Sequence, residues 1–420
     1  MAKNNNLTDF LTDVADAIRA KKGTTDKINP QDFASEIASI ETSVVKVAAP
    51  FNDVNFRDYD GTILYSYSKD EFLALTELPP LPTKKGLICQ EWNWTYDEAM
   101  EYVAEYGILE VGATYITDDG ATRLYMQIDD EDYMTIPLYF RQRASHGVGV
   151  DWGDGSPIET FELSNGIINA THTYSQKGDY IIKLQYISGV KYALSPGQSY
   201  YTIFGDYRNS GVRRISQYLR KVECGYRLEG LMYTCFQFCG RLESVSIAHQ
   251  DRLNVGTFLI DSGAFSTTAV RCIVFPRDMS VFKTYIAGDS TNMNLTSYVL
   301  PADLPQITTN NAIGDILQLT RFVIPSSQTK IMGQTFRYDY SLSRLIIPKT
   351  IQTIGSKAFF ECNGLVYIDF THHEQVPTLE NIDAFTGTPA YCEIRVPKAL
   401  EDEWKQATNW SEYASQIVGV

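Results

Sequence analysis

A short apolar pattern returns eight times in the second half of this 420-residue chain. Each copy has an apolar residue, another three positions later and a third two positions after that, and five copies end in proline. The copies begin 23, 28, 25, 24, 23, 23 and 26 residues apart. One short strand cannot bury an apolar face alone, whereas stacked copies form a continuous core. The pattern therefore predicts a solenoid over residues 219–397. The copies are Leu219-Val222-Cys224, Leu242-Val245-Ile247, Val270-Ile273-Phe275, Leu295-Tyr298-Leu300, Leu319-Phe322-Ile324, Leu342-Leu345-Ile347, Leu365-Ile368-Phe370 and Tyr391-Ile394-Val396.

A second apolar position stands six residues before the first residue of five copies. It is occupied by Phe236, Ile313, Phe336, Phe359 and Phe385. The stretch at 354–368, IGSKAFFECNGLVYI, resembles the unit of BspA-type leucine-rich repeats, and the stretches 262–265 and 383–385 are similar to part of it. Because such repeats occur in bacterial surface adhesins and in phage tail-associated proteins, the resemblance implies a binding role rather than a catalytic one.

The charge balance narrows the classes of partner. The chain has a formal net charge of −15, whereas a nucleic-acid-binding surface needs a basic face. No apolar run approaches the ~20 residues of a membrane helix, and the first residues lack the apolar core of a signal peptide. We therefore expect a protein that is made in the cytoplasm, binds no nucleic acid and does not insert into a membrane.

The cysteines predict neither a disulfide framework nor a metal site. The seven residues are odd in number and scattered along the chain. Cys239 and Cys362 occupy the same repeat position, three residues before the first apolar residue, which indicates small core fillers. The spacing of Cys235 and Cys239 suggests zinc as an alternative, but no second pair of ligands follows nearby. The full set is Cys89, Cys224, Cys235, Cys239, Cys272, Cys362 and Cys392.

Residues 1–41 predict a helical hairpin. Asn29 and Pro30 suit the cap and the first position of its second helix. Two short helices cannot bury a core of their own, so we expect this segment to attach to partner chains. A DNA-reading helix-turn-helix is the alternative, and the acidic residues of the segment argue against it. The segment also resembles the N-terminal part of tail and fibre-like proteins from phages of gut bacteria. The apolar residues of the first helix are Leu7, Phe10, Leu11, Val14 and Ile18.

A linker at 42–50 leads into a small α+β domain predicted at 51–121. Asp60-Gly61 predicts a β-hairpin, and Asp119-Gly120 predicts a second one. Between them a helix is expected to begin after Thr95 and to end at Gly107.

Parts of this domain, at 55–61 and 90–94, resemble a module that accompanies phage repeat proteins. Its carboxylates show no spacing that argues for acid/base chemistry over a solvated surface.

Residues 122–192 predict a β-sandwich built from short alternating strands at 123–128, 133–140, 147–152, 170–174 and 180–187. The sequence VDWGDGSP at 150–157, with HTY at 172–174 and GDY at 178–180, resembles the PKD family of immunoglobulin-like modules. The resemblance implies a domain that acts as a spacer between binding parts.

The loop that carries this motif has two functional alternatives. Asp151 and Asp154 are candidate calcium ligands, but too few carboxylates converge there. Asp151, His172 and Ser156 have the composition of a catalytic triad, but nothing positions a nucleophile or an oxyanion hole. We therefore predict a structural loop, in which aspartates bond to nearby amides and Gly153 and Gly155 allow turns.

Both ends of the solenoid need covers, because terminal repeats expose core. We expect the tyrosines in residues 193–218 to cover the first end and a helical cap at 398–420, with Trp404 and Trp410, to cover the last. This ending also resembles that of phage repeat proteins. His372-His373-Glu374 is interpreted as a surface turn, because adjacent side chains point in opposite directions. The tyrosines are Tyr200, Tyr201, Tyr207 and Tyr218.

Together these features predict a mainly β, multidomain structural protein of a phage virion, tail- or fibre-associated and released by lysis. Its N-terminal part is expected to bind other virion proteins, and its solenoid to bind host glycan or protein. The resemblance implies a homo-oligomer, which in such proteins is often a trimer. No catalytic, cofactor or metal residue is predicted. A bacterial surface adhesin, a head-decoration fibre and a polysaccharide depolymerase are the alternatives, and the depolymerase lacks a convincing carboxylate pair.

Overall fold

The computed structural model describes residues 53–143, 147–161, 166–186, 191–225, 228–247, 259–277, 279, 286 and 294–420. These residues are mainly β, with few and short helices. The helical attachment segment predicted at 1–41 and the linker at 42–50 lie outside the described residues.

The first described domain is a four-stranded sheet with two helices. Its elements are β1 (Val54–Arg57), β2 (Ile63–Tyr67), α1 (Lys69–Leu73), β3 (Leu87–Trp92), α2 (Tyr96–Tyr106) and β4 (Leu109–Thr117). The strand order is β2-β1-β4-β3, with β1 and β4 parallel. The Asp60-Gly61 hairpin between β1 and β2 is confirmed. Helix α2 begins after Thr95, which forms a capping box with Glu98, and ends at Gly107 with φ of +76°, as predicted.

The hairpin predicted at Asp119-Gly120 is wrong. Strand β5 (Thr122–Ile128) follows this turn, but β4 and β5 belong to different sheets. Strand β4 is buried along its whole length, and its two neighbours in the sheet are β1 and β3. The turn therefore carries the chain from one domain to the next, because the two strands pair within different sheets.

Two sheets that share one core follow. They contain β5, β6 (Thr135–Arg143), β7 (Val148–Asp151), β8 (Glu159–Phe161), β9 (Gly166–Thr173), β10 (Gly178–Tyr186) and β11 (Lys191–Leu194). Strands β5, β10, β7 and β8 form one sheet, and β11, β6 and β9 form the other. Inward residues of both sheets, such as Leu184 and Leu138, are fully buried. The five strands predicted from the sequence are present, and β8 and β11 are additional.

A short connection leads from these sheets into the repeats. It contains β12 (Tyr201–Thr202), β13 (Gly205–Asp206) and α3 (Ser210–Ser216), and the first repeat supplies β14 (Leu219–Glu223) and β15 (Leu228–Leu231). Strand β5 pairs with β14, placing Leu124 opposite Val222, and β11 pairs with β15, placing Leu194 opposite Leu231. The sandwich thus closes the first end of the solenoid rather than standing apart from it, because the outer strand of each sheet pairs with the first repeat.

The tyrosines that were expected to cover this end differ in how deeply they are buried. Tyr218 is fully buried, whereas Tyr200 is 53% exposed. The main-chain pairing of β5 and β11 already covers the open edge, so Tyr200 is not needed there.

The remaining repeats stack in parallel. Their strands are β16 (Ser244–Ser246), β17 (Leu259–Ile260), β18 (Cys272–Val274), β19 (Ser297–Val299), β20 (Lys330–Ile331), β21 (Arg344–Ile346), β22 (Thr353–Ile354), β23 (Tyr367–Asp369), β24 (Thr378–Leu379) and β25 (Glu393–Val396). One row of strands includes β21, β23 and β25, and a second row includes β20, β22 and β24. The core that fills the solenoid continues from the sandwich to the C-terminus.

The repeat pattern is confirmed at all but one of its apolar positions, because these residues are at most 4% exposed. The exception is Tyr391, which is 68% exposed, while Cys392 is 2% exposed and takes the core position. Leu365 follows Phe359 by six positions, whereas Cys392 follows Phe385 by seven. The extra residue moves the core position along the chain by one.

The second apolar position forms a ladder of rings. Phe336 stacks on Phe359 at 5.4 Å between centroids, and Phe359 stacks on Phe385 at 5.0 Å. The main chain follows the same stacking, since the Phe336 N–H donates to the Ala358 carbonyl at 2.8 Å. Each turn segment is therefore held by the next repeat.

The last end is closed by α4 (Glu401–Gln406), a 3₁₀ turn at Trp410–Tyr413 and the final strand β26 (Ile417–Gly419). Trp404 and Trp410 are fully buried, and the indole N–H of Trp410 donates to the Pro377 carbonyl at 2.8 Å. Asn409 donates to the Leu379 carbonyl at 2.7 Å and so covers the edge of β24. The cap is present, but it is only partly helical, because β26 adds to the sheet beside β25.

A carboxyl group is buried inside the solenoid. Asp339 stands three residues before Leu342, the position that cysteine occupies in the repeats of Cys239 and Cys362. Asp339 is fully buried and accepts the Ile316 N–H at 2.9 Å. Burial raises the pKa of Asp339 well above its ordinary value.

Replacing Asp339 by asparagine should make the protein more stable at pH 7. The folded state holds a proton that an unfolded aspartate releases above about pH 4, so wild-type stability falls as pH rises from there towards the raised pKa. Asparagine keeps the acceptor and removes the titration, so the stability of the variant relative to wild type should rise between pH 5 and pH 8. Urea unfolding at pH 5 and pH 8 measures this. The exposed Asp402→Asn is the control, and an unchanged pH dependence in Asp339→Asn would contradict the assignment.

Candidate binding surface

The small domain lies on the outer face of the middle repeats. Strand β4 packs against β16, β18 and β19. A Cβ atom at Gly112 of β4 would lie 2.3 Å from Cγ1 of Val274, so only glycine permits this approach. The residues that face the domain are largely apolar. They include Cys272, Val274, Val299, Val323 and Ile346.

Side chains of the small domain also bond to carbonyl groups of successive repeats. The Asn93 amide donates to the carbonyls of Phe275 at 3.0 Å and Val299 at 3.2 Å. The Trp94 indole donates to Leu300 at 2.8 Å. Because these bonds span neighbouring repeats, the domain is fixed in register along the solenoid.

A buried ionic group adds to the contact. Glu110 lies 2.5 Å from the guanidinium of Arg57 and 3.1 Å from that of Arg321, and accepts a bond from Asn55 at 2.8 Å. Burial lowers the pKa of Arg321, although Glu110 acts to raise it. Removing one partner would leave a buried charge uncompensated, which is strongly destabilising.

Beyond the covered repeats the same face becomes polar. Tyr367 and Asp369 on β23 and Glu393 and Arg395 on β25 are partly exposed. The Arg395 guanidinium lies 3.9 Å from the Tyr367 ring centroid and pairs with Glu393 at 2.8 Å. This is the part of the strand face that the small domain leaves open.

A cleft of about 240 Å³ opens where α2 meets the solenoid. The carboxylate of Glu98 pairs with Arg277 at 2.5 Å, and that of Glu105 pairs with Lys349 at 2.9 Å. Burial acts to raise the pKa of Glu98, but bonds from Arg277 and Thr95 lower it to about 2. The walls of the cleft are formed by Trp94, Glu98, Glu101, Tyr102, Glu105, Tyr106, Ala302, Ser326, Lys349 and Thr350.

A second cleft, of about 500 Å³, shares Lys349 with the first. The turn at His372-His373-Glu374 borders it, with Glu374 exposed, but His373 is buried and not at the surface as expected. His373 is 5% exposed, with its ring nitrogens 3.2 Å from the carbonyls of Phe370 and Ile351. Burial lowers the pKa of His373, although both carbonyls act to raise it. The His372 ring packs on Tyr106 at 5.1 Å, so this turn joins the two clefts.

The 150–157 loop lies in the sandwich, away from both clefts. Asp151 accepts the Gly153 N–H at 2.9 Å, and Asp154 accepts the Ser156 N–H at 3.0 Å. His172 contacts Asp154 at 2.7 Å rather than Asp151, so the Asp151, His172 and Ser156 triad is not assembled.

Contacts within the 150–157 loop and with the strand that follows explain the residue types of its motif. The Ser156 hydroxyl and amide, followed by His172, lower the pKa of Asp154 to about 2. The His172 ring stacks on Trp152 at 5.0 Å, and the Tyr174 hydroxyl donates to the Trp152 carbonyl at 2.7 Å. The motif therefore holds its own turn against the sandwich core.

Cys235 and Cys239 are both fully buried, and burial raises the pKa of both thiols. Within the residues that the structure describes, no three or more His, Cys, Asp or Glu side chains form a group that could hold a metal ion. Over the same residues, no helix has the length and apolarity needed to cross a membrane.

Sequence reasoning missed the covered face, although a signal for it exists. The residue between the second and third apolar positions is Val274, Val299, Val323 and Ile346 in the third to sixth copies. The same position is Glu223, Ser246, Asp369 and Arg395 in the other four copies. An apolar residue at an outward position indicates that something covers it.

Comparison with known proteins bears on the repeats. The family described as BspA type leucine rich repeat region matches residues 214–313 and 259–388, in six copies. A solved leucine-rich repeat protein from Bacteroides ovatus ATCC 8483 is similar at 16% identity, over 47% of this chain and 60% of that one. Its TM-score of 0.30 is too low to define a shared fold. No curated protein matches. The match to the BspA-type leucine-rich repeat family thus covers residues 214–388 of this chain.

Proposed function

We propose that the chain is a structural protein of a bacteriophage particle, tail- or fibre-associated, whose repeats bind a host-surface glycan or protein. The observation that carries the binding role is the open, polar end of the strand face, with two clefts beside it. The phage assignment is supported by the resemblance of residues 1–41 and of the Trp-bearing ending to phage tail and fibre-like proteins. Under this proposal, residues 1–41 attach the chain to other virion proteins.

Rigidity supports a binding role. The sandwich closes the first end of the solenoid, the cap closes the last, and the small domain is bonded to the middle. A surface held in this way binds with little ordering cost. The sandwich is then a PKD-like module whose task is to close and support the repeats.

Catalysis is not part of this proposal, and neither is a cofactor. The main-chain bonds of Asp151 and Asp154 and the separation of Asp151 from His172 support a structural loop. We propose a homo-oligomer, with a trimer as the expected form, located in the virion.

Mass spectrometry of purified phage particles tests the assignment. We expect the chain in particles at a low multiple of three or six copies, and we expect deletion of residues 1–40 to prevent its incorporation while the rest folds. Copy numbers like those of the capsid protein would move it to the head. Absence from particles together with detection on bacterial surfaces would favour an adhesin instead.

Binding is tested separately, with the purified full-length chain and fluorescent host cells. The protein should bind in a saturable way. No binding to any host strain that the phage infects would overturn the receptor role.

A further inference from the structure

We infer that the 240 Å³ cleft between α2 and the solenoid is a subsite for one sugar ring of a neutral or amine-bearing glycan. This inference rests on the proposed function and names the ligand class. Pockets for drug-sized ligands have volumes of roughly 300–1,000 Å³, so a cleft of about 240 Å³ suits a smaller molecule. That is the space of a single ring with its hydroxyl groups, not of a folded peptide.

The floor of the cleft is formed by the edges of three fixed aromatic rings. Trp94, Tyr102 and Tyr106 line it and are 2%, 3% and 6% exposed, so they offer a narrow apolar contact rather than an open ring face. The Trp94 indole bonds to Leu300 and the Tyr102 hydroxyl bonds to Ile324, both at 2.8 Å. Small-molecule sites combine such an apolar floor with a few placed polar groups.

The cleft exists because the ion pairs between α2 and the solenoid are interrupted in the middle. In the third to sixth copies the residue after the proline lies next to α2, and Arg277 and Lys349 pair there with Glu98 and Glu105. The two repeats between them place Ala302 and Ser326 at that position. These short side chains do not reach across, so the cleft opens between the two ion pairs.

Two polar groups border this gap. Over the described residues, the carboxylate of Glu101 makes no ion pair or hydrogen bond. The Thr350 hydroxyl also lines the cleft, and its oxygen is buried without a hydrogen-bond partner among those residues. A hydroxyl-rich ring supplies donors for the carboxylate and a partner for the hydroxyl, which removes the cost of leaving the latter unbonded.

The charge of the walls sets the specificity. Three carboxylates and one ammonium line the cleft, so a ligand carboxylate would meet like charge, whereas an ammonium would meet Glu101. The cleft therefore favours a neutral or amino sugar over an acidic one.

Calorimetry on the full chain with three methyl glycosides of one ring type tests this. The probes are the glucoside, the glucosaminide and the glucuronide. We expect the glucosaminide to bind about fivefold more tightly than the glucoside, as for an exposed charge pair, and no measurable binding of the glucuronide. Equal binding of all three, or binding of none, would overturn the inference.

Two variants locate the binding. Ala302→Trp fills the gap and should abolish it, with Ser326→Phe as a second filler should the first unfold. Glu101→Gln should remove the fivefold preference while the glucoside still binds, and Glu412→Gln, an exposed carboxylate on the C-terminal cap, should change neither. Unchanged sugar binding in both fillers would place the site elsewhere and overturn the inference.

The cell-binding assay separates this inference from the proposed function. Loss of cell binding in a folded Ala302→Trp protein supports both. If that variant binds cells as well as wild type, the cleft is not the receptor subsite and the inference fails while the receptor role stands. If wild type binds the sugars but no host cells, the cleft stands and the receptor role fails.

Discussion

Replacing Gly112 by alanine is expected to loosen the small domain from the solenoid. The new Cβ would lie 2.3 Å from Cγ1 and 2.8 Å from Cγ2 of Val274, and neither strand can move away without breaking its sheet. Overpacking of this kind costs about 1–3 kcal/mol, and we expect the upper end of that range. Urea unfolding measures the loss. Hydrogen exchange should show faster exchange in β4 and β18 before the rest of the chain.

A matched substitution and a compensating one make this result specific. At Gly178 a Cβ would meet only the Tyr180 ring, at 3.4 Å, so Gly178→Ala should stay within about 0.5 kcal/mol of wild type. Val274→Ala should restore part of the stability lost in Gly112→Ala, because the two residues share one contact. A Gly112→Ala protein as stable as wild type would show that the domain does not depend on this approach.

Replacing Trp410 by alanine is expected to open the last repeats. The ring packs 4.7 Å from Trp404 and 5.6 Å from both Phe370 and Phe385, and its N–H bonds to Pro377. Removing a buried tryptophan costs about 3–5 kcal/mol. Because each repeat contacts only its neighbours, the loss should be local. Hydrogen exchange should accelerate in β24 and β25 and stay slow where β5 pairs with β14.

Two further variants separate the causes. Trp410→Phe keeps a ring but removes the indole N–H, so it should cost less, about 1 kcal/mol for the lost bond plus the reduced contact. Tyr391→Ala, at a side chain that is 68% exposed, should have almost no effect on stability. Equal acceleration of exchange along the entire chain in Trp410→Ala would contradict a local capping role.

These predictions matter for binding because both variants disturb the frame around the clefts. Gly112 holds β4 on the repeats, and α2, which precedes β4 in the same domain, forms one wall of the first cleft. Trp410 supports the repeats that contribute His373 to the second. Either variant should therefore weaken cell binding if the clefts are used.

The sequence alone determined the features that arise from local periodicity. Residue type and spacing are enough to predict four features. They are the positions of the repeat core, the ladder of phenylalanine rings, the start of α2 after Thr95 and the hairpin at Asp60-Gly61. Such features involve residues close in the chain or repeated at regular intervals, so the pattern contains the information directly.

The tertiary structure decided which surfaces meet. Neither the pairing of β5 with β14 nor the packing of Gly112 on Val274 has a local signature, because each joins residues about 100 or more positions apart. The hairpin predicted at Asp119-Gly120 was wrong for the same reason, because the strands before and after this turn pair within different sheets. One extra residue in the last copy moves Tyr391 out of the core position. This shift becomes visible only when the copy is stacked on the previous repeat. The clefts form where two distant domains touch, so their existence depended on that contact alone.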